Sequence, residues 1–148
     1  MTKLILSVVA VAAITFSGCK KDKESNTDKL TDKNWKMTAL TVDPPLGGIL
    51  TDVYAQIQAC TQDDLTIFKD DHSVNFDEGA SKCDAADPQT TTGSWAYNSD
   101  ETVVTVVDDG GFITSYTITS LSSSEMKGTF TDNSSGIVET YSVTFKAQ

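Results

Sequence analysis

The chain has 148 residues and a formal net charge of −10, and all of its basic residues are lysines. Residues 30–148 alone carry six Lys and 18 Asp or Glu, for a formal net charge of −12. Nucleic-acid binding depends on basic patches that contact phosphates, so we expect no nucleic-acid partner.

The first 18 residues have the three parts of a secretory signal peptide. Lys3 gives a positive start, a nearly uncharged run covers residues 4–16, and small residues follow. The apolar run has about 13 residues, shorter than the ~20 that a membrane-spanning helix needs. We therefore expect residues 1–18 to be a signal peptide that is removed.

The sequence FSGC, residues 16–19, resembles the lipobox of bacterial lipoproteins. The resemblance implies acylation of Cys19, and two or three acyl chains anchor a protein stably where one does not. The alternative is an ordinary signal peptide with an incidental cysteine. Residues 19–29 are predicted to be a flexible tether, because no aliphatic or aromatic residue follows the cysteine there. We expect a lipid-anchored protein of the cell envelope, in the outer membrane, at its periplasmic face or the cell surface.

The first half of the remaining domain, residues 30–148, predicts three strands. They are residues 34–42, 64–69 and 72–77, each with alternating apolar and polar side chains. The sequence DPPLGG, residues 43–48, is expected to break the first strand. Residues 49–59 have apolar side chains at helical spacing and predict a short helix or turn. A long polar link, residues 78–89, follows.

The second half predicts five more strands with short connections. They are residues 91–98, 101–108, 112–121, 124–132 and 137–147. Short turns of Asp, Gly, Ser and Asn make consecutive strands antiparallel neighbours. The whole pattern is all-β and predicts an eight-stranded, antiparallel, up-and-down β-barrel.

Two cysteines lie inside the predicted domain. A disulfide is the default for an even pair of cysteines in an exported protein. Cys60 and Cys83 are equally distant from the turn between strands 64–69 and 72–77, so they are expected to meet beyond the open end of that hairpin. A zinc site is the alternative, but two sulfurs and one histidine make a poor ligand set.

Aromatic residues recur on the apolar face of the predicted strands. The candidates for contact with a small hydrophobic ligand inside the barrel are Phe76, Trp95, Tyr97, Tyr116, Phe130 and Tyr141. An eight-stranded barrel holds one small ligand or is filled by its own side chains. Burial in a filled core is therefore the alternative for each of these residues.

Nothing in the sequence predicts catalysis or a bound metal. His72 is the only histidine and lies in a predicted turn, with no nucleophile motif nearby. Asp70–Asp71 and Asp108–Asp109 lack the spaced ligands of a calcium loop and are ordinary turn residues. We expect no enzyme activity and no cofactor.

Four short motifs resemble those of the lipocalin-like domain of bacterial lipoproteins. They are Trp35–Lys36 at a strand start, Cys60 with Asp63, Asp64 and Phe68, Gly79 with Cys83, and Gly93 with Trp95. The resemblance extends over residues 30–147 and implies a barrel that binds a small apolar molecule. The alternative is a structural or protein-interaction module of the envelope with a filled barrel, whose protein partner the sequence does not identify.

Overall fold

The computed structural model describes residues 24–148, so the predicted signal peptide and the predicted lipidation site at Cys19 lie outside the described residues. The regular elements of the described part are, in chain order, α1 (Asn26–Leu30), β1 (Trp35–Leu46), β2 (Leu50–Asp52), a 3₁₀ turn (Tyr54–Gln56), β3 (Leu65–Phe68), β4 (Ser73–Asp77), β5 (Thr90–Tyr97), β6 (Val103–Val107), β7 (Ile113–Leu121), β8 (Glu125–Asp132) and β9 (Glu139–Ala147). Every predicted strand is present.

Eight of these strands form a closed antiparallel barrel. Each strand pairs with the next in the order β1-β3-β4-β5-β6-β7-β8-β9, and β9 pairs with β1 to close the sheet. The closing ladder runs from Trp35 opposite Ala147 to Asp43 opposite Thr140. This topology confirms the predicted eight-stranded, antiparallel, up-and-down barrel.

The first strand is longer than predicted. It continues through Asp43, Pro44 and Pro45 to Leu46 instead of ending at the prolines. Proline was expected to break the strand because it has no N–H group to donate to a ladder. Here the ladder with β9 ends at Asp43, and the register with β2 is irregular between Thr41 and Leu46. The prolines therefore lie where no regular ladder requires a donor.

The segment after β1 is only partly helical. Gly47 and Gly48 have φ angles of +59° and +78°, which reverse the chain so that Leu50 returns opposite Leu46 as the start of β2. The predicted helix or turn over residues 49–59 is limited to the 3₁₀ turn Tyr54–Gln56. β2 pairs only with β1 and lies outside the closed barrel.

The helix α1 covers one end of the barrel. Ser25 begins it with a reciprocal capping box. Leu30 at its end is completely buried, and its carbonyl oxygen accepts a 2.7 Å hydrogen bond from the indole of Trp35. The helix overlaps the predicted tether, residues 19–29, at residues 26–29. The cap and the burial of Leu30 fix this short segment.

We call the end beside α1 the closed end and the opposite end the open end. The fully buried side chains nearest the closed end include Leu30, Trp35, Phe68 and Val74. The turn between β6 and β7, the turn between β8 and β9, and the polar link 78–89 lie at the open end. Within the described residues, no helix is long and apolar enough to cross a membrane.

Candidate functional site

Residues 53–64, which we call the cap segment, pack against the barrel core before the start of β3. The amide of Val53 donates to the carbonyl oxygen of Leu40 in β1, at 2.9 Å. Tyr54 and Ile57 place their half-buried side chains against the core. Gln62 donates from its side-chain amide to the carbonyl oxygen of Ile57, at 3.0 Å, and this bond closes the segment on itself. The cap segment is therefore part of the packed structure.

A disulfide joins the cap segment to the polar link 78–89. Cys60 and Cys83 are bonded, with their Cα atoms 5.2 Å apart, which confirms the disulfide predicted from the sequence. The bond forms where the β3–β4 hairpin opens, because the two cysteines extend its two arms. The bridge fixes the cap segment over the first strands of the barrel.

The carboxylate of Asp63 adds a second connection between the same two segments. It accepts hydrogen bonds from the backbone amides of Ala80, at 2.9 Å, and Ser81, at 3.0 Å, and from the Ser81 hydroxyl. The Ser81 hydroxyl is the main cause that holds the pKa of Asp63 below its usual value. Asp63 thus acts as a structural anion that orders the link.

A cavity of about 190 Å³ lies between the cap segment and the interior side of β1, β3, β4 and β9. Most of its lining is apolar or aromatic: Met37, Tyr54, Ile57, Leu65, Phe76 and Phe145. The polar residues of the lining are Thr61, Asp64, Thr66, Asp77 and Glu78. A mostly apolar wall with a few polar groups is the usual composition of a small-molecule site.

Asp64 is the exceptional polar group of this cavity. Its Oδ1 atom is buried and is the only such side-chain oxygen or nitrogen in the described residues that has no hydrogen-bond partner. Burial raises the pKa of Asp64 to about 6, and the charges of Glu78, Asp63 and Asp77 act in the same direction. A buried acceptor without a partner costs about 1–3 kcal/mol. Asp64 is therefore a carboxylate of the cavity wall that the described residues leave without a full set of hydrogen-bond donors.

Asp77, which also lines the cavity, is in a different state. Its carboxylate accepts hydrogen bonds from the Gly79 amide at 2.9 Å, the Gln89 side chain at 3.1 Å and the Thr90 hydroxyl at 2.9 Å. These bonds, led by the one from Gly79, lower the pKa of Asp77. The Asp77 carboxylate therefore already has three hydrogen-bond donors from the protein, whereas Asp64 Oδ1 has none.

The six predicted ligand contacts do not come together at one site. Phe76 lines the cavity. Trp95 is buried in the core, its indole N–H donates to the carbonyl oxygen of Lys69 at 2.9 Å, and it packs edge-on against Phe68 and Tyr97. Burial also raises the pKa of Tyr97 to about 12. Trp95 and Tyr97 therefore fill the barrel interior, and neither lines the cavity.

Phe130 and Tyr141 line a second concave region, which we call the side cleft. The β7–β8 ladder begins at Thr117 opposite Thr129, so β7 before this point and β8 after it are not paired with each other. The side cleft lies at this split and has a volume of about 500 Å³. Its lining mixes residues of both strand faces and consists of Phe112, Ile113, Thr114, Ser115, Phe130, Thr131, Asp132, Ser134 and Tyr141.

Tyr116 lies between the two regions. Its ring packs edge-on against Phe130 of the side cleft, with centroids 5.5 Å apart, and against Phe145 of the cavity, with centroids 6.2 Å apart. Phe130 in turn stacks on Tyr141 at 4.9 Å. This row of rings separates the cavity from the side cleft, and Tyr116 itself lines neither.

No catalytic constellation or metal centre is assembled in the described residues. His72 is exposed in the β3–β4 turn, with a φ angle of +66° and its ring 5.2 Å from that of Trp95. Asp71, beside it, accepts from the Ser73 amide and hydroxyl and so stabilises the turn. Within residues 24–148, no group of three or more His, Cys, Asp or Glu side chains could hold a metal ion.

Sequence reasoning did not single out most of the cavity lining. Met37, Tyr54 and Ile57 are ordinary apolar residues in the sequence, although the helical spacing of Tyr54 and Ile57 indicated one shared face. Asp64 was named only as a member of the motif that begins at Cys60, at the start of the predicted strand 64–69. The sequence signal that could have identified Asp64 is a carboxylate placed directly before an apolar strand, Leu65–Phe68.

Comparison with known families decides the classification. The sequence model of the lipocalin-like domain matches residues 30–128. The chain belongs to the lipocalin-like domain family. The match includes Trp35, the two bridged cysteines and the Gly93–Trp95 motif, so the resemblance seen in the sequence is confirmed.

Solved structures similar to this lipocalin-like chain include bovine odorant-binding protein. Its complex with a selenium-containing odorant has 13% sequence identity and a TM-score of 0.47, and the alignment covers 87% of this chain and 76% of that one. Its complex with its natural ligand has 16% identity, a TM-score of 0.47, and coverage of 87% and 77%. Among curated proteins, none matches the sequence.

Proposed function

We propose that this lipocalin-like protein binds a small hydrophobic molecule in the cavity beneath the cap segment. The observation that carries the proposal is the cavity itself, whose wall is mostly apolar and aromatic and whose position is fixed by the disulfide. Its volume of about 190 Å³ lies below the ~300–1,000 Å³ of sites for drug-sized molecules. The expected ligand is therefore small.

Native mass spectrometry of the exported and processed protein tests this proposal. We expect a reproducible additional mass that is lost on denaturation. Ile57→Trp would fill the cavity from the cap segment and should remove that mass, whereas Ile49→Trp adds the same side chain at a position that is 89% exposed. A protein that stays bare after incubation with a lipid extract would contradict the proposal.

We further propose that a lipid on Cys19 holds the protein in the cell envelope. The support is the FSGC sequence after an apolar run and before a charged segment. In cells that make the protein, Cys19→Ser should move it from the membrane fraction to the soluble fraction and remove a mass of covalent acyl chains. Membrane association that survives this substitution would refute lipid anchoring.

A second candidate function, a protein-interaction module, is favoured by one observation. The exposed large apolar side chains of the described residues all lie on turns or strand starts at the open end: Ile49, Phe112, Ile113, Ile137 and Val138. Exposed apolar groups in one region are typical of contact surfaces. Under this alternative, Phe112→Ser with Ile137→Ser would abolish co-purification of a partner and leave the bound mass unchanged.

A further inference from the structure

We propose that the ligand carries a positively charged nitrogen, such as a protonated amine, and that this group binds the carboxylate of Asp64 while an apolar body occupies the cavity. This inference rests on the proposed binding function and specifies the chemical class of its ligand. The observations that carry it are the position of Asp64 in the wall of an apolar cavity and the missing partner of its buried oxygen.

The protein supplies no donor for this oxygen. The cavity lining includes no lysine and no histidine. The two ion pairs found in the described residues, Lys69–Asp32 and Lys127–Glu125, involve none of the residues that line the cavity. Carboxylates in apolar surroundings are paired or hydrogen-bonded as a rule, so a ligand cation beside Asp64 would supply the charge pairing that the cavity lining lacks.

The surroundings of Asp64 favour a cation over a neutral donor. Asp77 and Glu78 also line the cavity, and Asp63 is adjacent in the chain, so several carboxylates act on the same region. Apart from the three carboxylates, the only titratable residue in the lining is Tyr54, and its side chain does not carry a positive charge. Charge-assisted hydrogen bonds are roughly twice as strong as neutral ones. The acidic domain as a whole also attracts cations to its surface.

An organic cation fits this site better than a metal ion. No group of three or more His, Cys, Asp or Glu side chains in residues 24–148 could hold a metal ion. Asp77 is already engaged by three donors of the protein. Six apolar or aromatic side chains complete the wall, and they would contact an alkyl or aryl body rather than the water shell of an ion.

Three matched probes test the proposal: hexylamine, which is protonated at neutral pH, hexanol and hexanoate. Their affinities would be measured calorimetrically with the full processed protein in zwitterionic lipid nanodiscs, with empty nanodiscs as the blank. We expect hexylamine to bind about tenfold tighter than hexanol, and hexanoate to bind weakest. Asp64→Asn should remove the preference for hexylamine, while Asp109→Asn, the same change in an exposed turn, should keep it.

A pH series gives a second readout that needs no substitution. The affinity for hexylamine should fall as pH decreases from about 7.5 to about 4.5, because protonated Asp64 no longer attracts a cation, while that for hexanol should change little. Equal affinities for hexylamine and hexanol would overturn the proposal and leave the apolar site intact. If none of the probes binds, the proposed binding function is wrong as well.

Discussion

Asp63 and Asp64 are adjacent in the chain but have opposite environments. Asp63 lies at the surface, where the Ser81 hydroxyl and two backbone amides hold its pKa low. Asp64 lines the cavity, and burial raises its pKa to about 6. The Asp63 carboxylate stabilises the folded chain, whereas the partial burial of the Asp64 carboxylate costs free energy. Such a cost at one residue of a cavity wall is typical of functional sites, where local stability is given up for binding.

Asp64→Asn should change how stability depends on pH. The folded protein keeps the Asp64 proton up to about pH 6, whereas the unfolded chain releases it near pH ~3.9. Wild-type stability is therefore lost as pH rises between these values, and a neutral asparagine side chain at this position would remove that loss. We expect the melting temperature of the variant, relative to wild type, to be higher at pH about 7.5 than at pH about 4.

The other carboxylates do not alter this comparison between wild type and Asp64→Asn. Carboxylates with lowered pKa values, such as Asp63 and Asp77, lose their stabilising effect as pH falls, but they do so equally in both proteins. Asp109→Asn removes a carboxylate from an exposed turn and should leave the wild-type profile in place. Parallel melting curves for wild type and Asp64→Asn at all pH values would show that Asp64 is not desolvated.

Gly79 of the Gly-x-x-Cys motif has a steric role. Its φ angle is +65°, and a Cβ atom there would collide with the backbone carbonyl oxygen of Asp63. Gly48 has a similar φ of +78°, with nothing within 4 Å of the same position. Gly79→Ala should therefore destabilise the protein by about 1–3 kcal/mol more than Gly48→Ala, because only the former overpacks. Urea unfolding of the two variants measures this difference, and equal losses would contradict it.

The roles of two motif glycines depend on contacts that the sequence does not reveal. Gly79 and Gly93 were recognisable as motif glycines. Glycine is needed there because the backbone of a distant residue leaves no space for a Cβ atom: Asp63 at Gly79 and Val107 at Gly93. Likewise, the sequence does not say which of the two neighbouring aspartates, Asp63 and Asp64, lines the cavity. These features depend on packing between segments far apart in the chain, which local patterns do not encode.

At the scale of elements, the Cys60–Cys83 bridge is expected to stabilise both the fold and the cavity. The cysteines are 23 residues apart, and closing a loop of this length is worth about 3 kcal/mol in the chain-entropy model. Replacing both cysteines with serine should lower the free energy of unfolding by about that amount. It should also weaken ligand binding, because Tyr54 and Ile57 lie on the segment that the bridge secures.

Guanidinium unfolding and native mass spectrometry of the double serine variant test the two parts separately. Wild-type protein treated with a reductant should behave in the same way. A variant that loses stability but retains its bound mass would show that the hydrogen bonds of Asp63 with Ala80 and Ser81 are enough to position the cap segment.

The strands were predictable because alternating apolar and polar side chains are a local sequence signal, and the barrel buries the apolar face of each strand. Strands β3 to β9 lie inside or close to the predicted ranges, since one face of each is buried. The exceptions were set by contacts with other parts of the chain. β1 passes through Pro44 and Pro45 because no ladder needs their donors, and α1 is ordered because Leu30 is buried under Trp35.

In the molecule as a whole, the position of the N-terminal segment sets which end of the barrel would face a membrane if Cys19 is lipidated. Asp32 pairs with Lys69 of the β3–β4 turn, and the Tyr97 hydroxyl donates to the Asn26 carbonyl oxygen, so the N-terminal segment approaches the closed end. The apolar exposed residues and the cap segment belong to the other end. If Cys19 carries the lipid, the membrane faces the closed end and the candidate contact surface faces away from it.

This orientation is measurable because the connection is short. Glu24, where the described chain begins, lies five positions after Cys19, and a chain of that length spans at most about 18 Å. Dyes would be placed by Asp100→Cys in the β5–β6 turn at the closed end and by Asp109→Cys in the β6–β7 turn at the open end. Energy transfer to a headgroup-labelled lipid should be stronger from position 100. Equal transfer would mean that the barrel lies on its side, and stronger transfer from position 109 would mean that the apolar open end contacts the membrane.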